Sequence, residues 1–378
     1  MPHALKSQVL EATLYFCERD DVAIRHQAVE QSKSLLRKSM PYYLHASVAL
    51  FQSILHRVDG DVIKSESVIR DFLWKGPKPK TRRDHALRGR LHISQIDNKI
   101  KCFDEDVPQL IYDWKAEQPL SSLDVEVTCR LQSAAARFFQ SIGNFEAAIE
   151  SLQQFLSLNR AGPLRANSRR LLVARLADMF CEMRQFASTV EILEPELSII
   201  SDSDRRRRPF RRLTLALVEA KIGLGMWDEA WLLLQGLNDV LPPKPDNIHD
   251  QQLHIRKIIA EARVTHVTCT DCNQAIQVWK SALQEIGQMY TLKAKNGFCA
   301  AIIYLSLAHA QLTQGGDRDG SRHSWATGAE VLSGEKCEFW IPIASTTWLQ
   351  RIVTEVHQIQ GWSLRMMLPG GRPDMIWS

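Results

Sequence analysis

The alternation of apolar and polar positions repeats along the chain. GNFEAAIESLQQFL (143–156), RQFASTVEILEPEL (184–197) and GMWDEAWLLLQGL (225–237) each begin with a short polar turn and an aromatic residue. A small residue or threonine follows three positions on, and apolar residues then recur at helical spacing. The aromatics Phe145, Phe186 and Trp227 are 41 residues apart, and Ala148, Thr189 and Ala230 keep the same period. A fixed period of this size marks stacked supersecondary units.

Another amphipathic stretch precedes each turn: RLQSAAARFFQSI, RLLVARLADMFCEM and RLTLALVEAKIGL. Apolar residues recur there at i, i+3, i+4 and i+7, so the unit is a helical hairpin. One hairpin cannot bury both of its apolar faces and must stack on a neighbour. Small residues such as Ala136 and Ala148 let the helices approach, and the aromatic after the turn wedges between units. Stepping the period back reaches Cys102 and Gly60, both in polar turns between amphipathic stretches. Forward, Cys269 to Cys272 precede NQAIQVWKSALQEIG, and Gly315-Gly316 separate AAIIYLSLAHAQL from HSWATGAEVL.

The pattern predicts an all-α, right-handed α-solenoid of about eight hairpins. It divides into N-terminal hairpins (1–74), a basic Pro/Gly linker (75–85), core repeats of period 41 (86–240), a Pro-rich break (241–247), C-terminal hairpins (248–360) and a flexible tail (361–378).

G-x-F-x-x-A-I at 143–149 and G-x-W-x-x-A-W at 225–231 resemble the second-helix signature of tetratricopeptide repeats. Across residues 40 to 357 the chain is similar to the tetratricopeptide-like arrays of filamentous fungi, which occur alone or fused to nucleotide-binding modules. The resemblance implies protein-partner binding without an active site. It also implies the role of an accessory or regulatory factor, in a biosynthetic pathway for an array standing alone. The G-x-x-x-x-G-K-[ST] loop of the fused relatives does not occur in this sequence.

Composition narrows the picture further. Hydrophobic residues at 45% and charged residues at 24% are those of an ordinary globular protein. The net charge is only +4, from 47 Lys+Arg against 43 Asp+Glu, so basic character is local. Lys6, Glu11 and Glu18 interrupt the start before any apolar core of signal-peptide length, and the longest apolar run, Phe298 to Leu312, carries Ser306 and His309 and is shorter than a membrane span. A cytoplasmic protein without membrane contact is the expectation. The eight cysteines fall mostly singly inside helical patterns, which reads as reduced, buried thiols rather than a disulfide framework.

Catalytic signatures are scarce. H-E-x-x-H, G-x-G-x-x-G after a strand and G-x-S-x-G are all missing, and the acidic pair Asp20-Asp21 has Ile24 where a D-D-x-x-D diphosphate site needs Asp. HVTCTDC supplies His266, Cys269 and Cys272, three of the four ligands of a structural zinc site, with Cys299 able to fold back as a fourth. No cofactor is implied.

The cations are more informative. Arg88, Arg130, Arg170, Arg212 and Lys257 each stand 13 or 14 positions before a turn residue, near the predicted start of a first helix. A helix start is the wrong end for cations, so helix stabilisation does not account for them. With Arg137 and Arg175 they form a candidate positive stripe for an acidic peptide or a C-terminal carboxylate; the competing reading is solvated side chains lying over apolar surface.

A separate run, SDSDRRRRPFRRL, puts six arginines between Arg205 and Arg212. It reads as a connector in which Asp202, Ser203 or Asp204 caps locally, and it has the composition of a nuclear signal. The function expected is a non-catalytic scaffold or adaptor for a protein partner. The alternatives are a helical enzyme or cofactor protein without a recognisable motif, and a nucleic-acid-associated repeat protein using phosphate contacts.

Overall fold

The computed structural model describes residues 3–17, 22–102, 104, 106–115, 121–142, 144–158, 166–240, 248–269, 271–289, 297–313, 315–333, 345–366 and 375–377. Among them are seventeen α-helices and one two-stranded antiparallel pair. The chain divides into two compact units, Met1–Phe138 with Gln153–Pro163, and Phe139–Leu152 with Leu164–Ser378.

In unit 1 the core is a chain of local clusters. Helices α1 (His3–Phe16), α2 (Val22–Leu35) and α3 (Tyr42–Val58) meet around Leu10, Val29 and Leu44. Helices α3, α4 (Val62–Lys75) and α5 (Arg82–Lys101) meet around Leu50, Ile69 and Leu91. The third cluster, around Ile96, Val107 and Leu131, joins α5, α6 (Val107–Asp113) and α7 (Ser122–Ser141). Helices α3 and α5 thus each serve two neighbouring cores, which is how a repeat array buries apolar faces that one hairpin leaves open.

Buried polar pairs follow the same period. The Ser53 and Ser94 hydroxyls lie 3.1 Å apart, and Arg57 Nη1 donates to Asn98 Oδ1 at 2.9 Å, both pairs separated by 41 residues.

Helix α5 starts at a capping box, in which Thr81 Oγ1 accepts from Asp84 N at 3.2 Å and Asp84 Oδ2 accepts from Thr81 N at 2.9 Å. With α4 running through Lys75, the non-helical part of the basic linker is 76–81, shorter than the expected 75–85.

Unit 2 holds α9 (Ala166–Glu182), α10 (Phe186–Ser198), α11 (Arg208–Gly223), α12 (Trp227–Asn238), α13 (Ile248–Thr268), α14 (Cys272–Gln288), α15 (Gly297–Thr313), α16 (Arg318–Ser333) and α17 (Ser345–Gln360). Helix α8 (Phe145–Leu158) contributes residues to both units. First helices of successive hairpins pack side by side, α9 on α11, α11 on α13 and α13 on α15, while α10, α12, α14 and α16 each pack on the helix before them.

Phe145, Phe186 and Trp227 open α8, α10 and α12, and Ala148, Thr189 and Ala230 have no exposed surface. Phe186 lies against the bare backbone of α11: a Cβ at Gly223 would fall 2.4 Å from its ring. Gly225 ends the α11–α12 turn at φ 75°, a left-handed conformation that glycine adopts without a Cβ penalty. One period earlier, Arg184 takes the same conformation at φ 60°.

In the expected tail, Leu364–Met366 and Met375–Trp377 pair antiparallel as β1 and β2, with Leu364 opposite Trp377. Cys337 and the Pro-rich break at 241–247 lie outside the described residues. Of the other cysteines, Cys17, Cys129, Cys181 and Cys299 are buried, and Cys102 is exposed.

Candidate functional site

The cation ladder divides between the units. In unit 2 its members are drawn inward. Arg170 of α9 pairs with Asp204 at 3.7 Å with its side chain 12% exposed, Arg212 of α11 pairs with Asp178 at 3.2 Å and is 14% exposed, and Lys257 of α13 pairs with Glu261 at 2.6 Å and is 9% exposed. Arg175 is half-buried in α9 and is also engaged.

In unit 1 the ladder stays nearer water. Arg130 of α7 is 41% exposed and paired with Glu126 one turn before it, at 2.8 Å; Arg137 of α7 is 34% exposed and paired with Asp97 of α5. Arg88 of α5 is exposed and has no acidic partner among the described residues. The placement at helix starts also needs correction. Arg170 and Arg212 are the fifth residues of α9 and α11, just past the first turn, but Arg88, Arg130 and Lys257 lie well inside α5, α7 and α13, because those helices begin earlier than the apolar pattern indicated.

Behind the ladder, unit 2 contains a row of charges that the sequence reading passed over. Asp178 of α9 accepts from Arg212 of α11 and, at 2.7 Å, from Arg256 of α13. Glu219 of α11 accepts from Arg263 of α13 at 2.5 Å, and Arg256 Nε stands 3.9 Å from its other oxygen. Signs alternate from Arg212 to Asp178, Arg256, Glu219 and Arg263, and both carboxylates are fully buried. Burial pushes the Glu219 carboxyl up, against the pull of Arg263 and Arg256. The available signal was period: Asp178 and Glu219 are 41 residues apart.

The row ends at Trp348 of α17, whose ring lies under the Arg263 guanidinium at 5.4 Å and whose Nε1 donates to Ser306 Oγ at 2.9 Å.

His266 is committed to a hydrogen-bond chain rather than to a metal. Trp279 Nε1 donates to its Nδ1 at 2.7 Å, which leaves the proton of the neutral imidazole on Nε2. Nε2 therefore donates to His309 Nδ1 at 3.0 Å, and His309 Nε2 donates to Glu355 Oε2 at 2.6 Å. Burial, then the neighbouring His309 and Arg351, pushes His266 down to about 3. The hydrogen bond from His309 holds Glu355 down to about 2, with burial opposing and Arg351 assisting.

Both ring nitrogens of His266 are in use, which takes it out of the candidate zinc set with Cys269 and Cys272. Cys269 Sγ donates to Asp271 O at 3.4 Å, and the Cys272 side chain lies outside the described residues. Among the described residues no three His, Cys, Asp or Glu side chains are grouped to hold a metal ion.

The arginine run divides similarly. Asp202 and Asp204 do not cap α11, whose N-cap is Arg207 without a side-chain hydrogen bond. They sit in a short 3-10 turn and pair with Arg205 at 3.1 Å and Arg207 at 2.9 Å, because a guanidinium beside a carboxylate competes well for its oxygens. Arg211 is buried against Asp250 at 2.8 Å.

Arg88 lines a cavity of about 410 Å³ in unit 1, together with Leu73 of α4, His85 and His92 of α5, Asp124 of α7, and Asp113, Trp114 and Lys115 at the end of α6. His92 Nε2 donates to Leu110 O at 2.7 Å, and its ring stands 6.2 Å from that of Trp114.

These elements define the class: a helical-repeat protein whose ionisable interior in unit 2 is closed on itself. No family model and no curated protein matches the sequence. Among the crystal structures that share the fold are two of Rap proteins. A Rap protein complexed with competence and sporulation factor superposes with a TM-score of 0.55 at 12% identity, covering 83% of this chain and 82% of that one. The apo form of RapI does so with a TM-score of 0.53 at 11% identity, covering 85% and 86%. Rap proteins are tetratricopeptide-like helical-repeat proteins. Among the described residues no helix is long and apolar enough to cross a membrane.

Proposed function

We propose that the chain is a non-catalytic adaptor that holds a protein partner, with an acidic segment or C-terminal carboxylate of that partner meeting Arg88 and Arg130 of unit 1. The carrying observation is the contrast within the ladder. Arg170, Arg212 and Lys257 are at most 14% exposed and ion-paired, whereas Arg130 is 41% exposed and Arg88 has no acidic partner among the described residues. A cation already buried against a carboxylate has little to offer an incoming one, whereas the exposed guanidinium of Arg88 keeps its planar fork for it, and Arg130, paired with Glu126 in contact with water, can exchange that carboxylate for another.

A peptide-bound Rap protein with the same fold supports the reading by analogy. The resemblance to fungal arrays supports an accessory or regulatory role in a biosynthetic pathway, acting in the cytoplasm. The enzyme alternative lacks support at the Arg88 cavity. Of its two carboxylates, Asp124 is occupied by Ser121 and Arg82, and Asp113 accepts from Gln109 at 2.7 Å. A nuclear-signal or phosphate-binding role for the arginine run is weakened by the local pairing of Arg205 and Arg207 and the burial of Arg211.

The test is affinity purification from the native host with the tagged wild type, an Arg88→Glu/Arg130→Glu variant and an Arg205→Glu/Arg207→Glu variant. A protein recovered with the wild type and the last variant, and lost with the first, is the expected result. Equal recovery with all three overturns the contact residues, and recovery of no protein overturns the adaptor reading.

A further inference from the structure

We infer that the cavity around Arg88 is a binding site for a small organic anion, with a carboxylate or phosphate head and a planar apolar body. The inference takes from the adaptor reading only the placing of Arg88 and extends it to a ligand that is not a protein.

Size is the first argument. About 410 Å³ lies within the range of roughly 300 to 1,000 Å³ typical of small-molecule sites. The second is the donor set. Arg88 carries a guanidinium with five N–H donors and no acidic partner among the described residues, and Lys115 adds an exposed ammonium. Arg88 is felt by buried Tyr42, whose hydroxyl burial pushes up to about 12 while the charge of Arg88 opposes that shift. Of the acids on the wall, Asp124 faces Arg82 Nε at 3.2 Å and accepts from Ser121 N at 2.9 Å. Burial would raise its carboxyl, but the hydrogen bonds from Ser121 and the charge of Arg82 win and keep it ionised and matched. A carboxylate already matched does not cancel Arg88.

The third argument is Trp114. Its Nε1 is buried with no hydrogen-bond partner among the described residues, so what Trp114 offers the cavity is its ring rather than its N–H. Its six-membered ring is seated on glycine: a Cβ at Gly89 would fall 2.5 Å from Cζ2 and 2.7 Å from Cη2. An aromatic packed against the helix at Gly89, with Leu73 lining the same cavity, provides apolar wall for a planar body. An anion seated there would compete with a partner carboxylate for Arg88, so occupancy and partner binding would oppose one another.

The probes are 4-fluorobenzoate, 4-fluorophenyl phosphate and neutral 4-fluorobenzamide, observed by ¹⁹F NMR line broadening with the intact chain. Binding of at least one anion, with the amide about tenfold weaker or worse, is expected; which anion binds separates the carboxylate and phosphate sources. Arg88→Gln should weaken the anion about tenfold, the loss of one charge-assisted contact. Trp114→Leu, which removes the aromatic wall, should weaken it by a smaller factor with the far-ultraviolet circular dichroism unchanged. No binding of either anion at 298 K up to about tenfold the range of weak fragments, some millimolar, overturns the inference, as does equal binding of the amide or of the anion to Arg88→Gln. None of these readouts involves the protein partner, so a failed pull-down and a failed anion site are told apart.

Discussion

Asp178 and Arg256 form a buried ion pair, 2.7 Å from Oδ1 to Nη2, with the carboxylate fully removed from solvent and the guanidinium side chain 4% exposed. The pair joins α9 to α13, and Arg212 of α11 completes the contact on the other oxygen. Removing one partner of a buried pair leaves an uncompensated charge, which costs about 3–5 kcal/mol. Asp178→Ala is therefore expected to lower the urea unfolding free energy by that amount. The double variant Asp178→Leu/Arg256→Met, which removes both charges, should recover much of the loss, and an undiminished deficit there would contradict a purely structural role for the pair.

Acid should destabilise unit 2 through His266. Its folded value of about 3 lies below the ordinary value of 6.5, so between these limits the unfolded chain takes up a proton that the folded chain refuses. Stability is then present above pH 6.5 and falls as pH drops toward 3, with a limiting slope of about 1.4 kcal/mol per pH unit for one proton. Glu355, held down at about 2, acts in the same direction: its contribution is present above its unfolded value of 4.5 and is lost as pH falls through about 2. Urea titrations at pH 7, 5.5 and 4.5 should show the wild type and His266→Gln converging as pH falls. Parallel curves would show that the Trp279–His266–His309 chain does not govern the acid limb.

Gly223→Ala tests the repeat packing. The new methyl would meet Cδ1, Cε1 and Cζ of Phe186 at 2.4–2.5 Å, so the ring or the helix must shift. Overpacking of this kind costs about 1–3 kcal/mol. Gly236→Ala in α12, where a Cβ would meet nothing within 4 Å, should instead be neutral or slightly stabilising. The difference between the two unfolding midpoints measures the wedge directly.

Much of the fold was legible because the same physical constraint recurs every 41 residues. Ala148, Thr189 and Ala230 occupy the close approach of two helices, where only small side chains fit, and such positions stand out in a stacked sequence. The polar interior was harder to read. Asp178 and Glu219 keep the period, but their partners Arg256 and Arg263 lie on a helix whose register drifts from it, and charge along a sequence does not reveal which charges face inward. The candidate site was read as a stripe for a related reason: equivalent spacing places Arg88, Arg130, Arg170 and Arg212 alike, while exposure depends on which acids the neighbouring helices present. His266 stood as a candidate ligand because His and Cys near a turn have ligand spacing, and the sequence does not show the indole of Trp279 that lies 2.7 Å from Nδ1.

The central claim is that a protein partner is held through unit 1 while the charges of unit 2 serve the fold. Amide hydrogen exchange of the chain alone and with its captured partner tests it most directly. Added protection over Arg82–Lys101 and Ser122–Ser141, with none over Arg208–Gly223 or Ile248–Thr268, is the predicted result. Protection confined to Arg208–Gly223 and Ile248–Thr268 would contradict it.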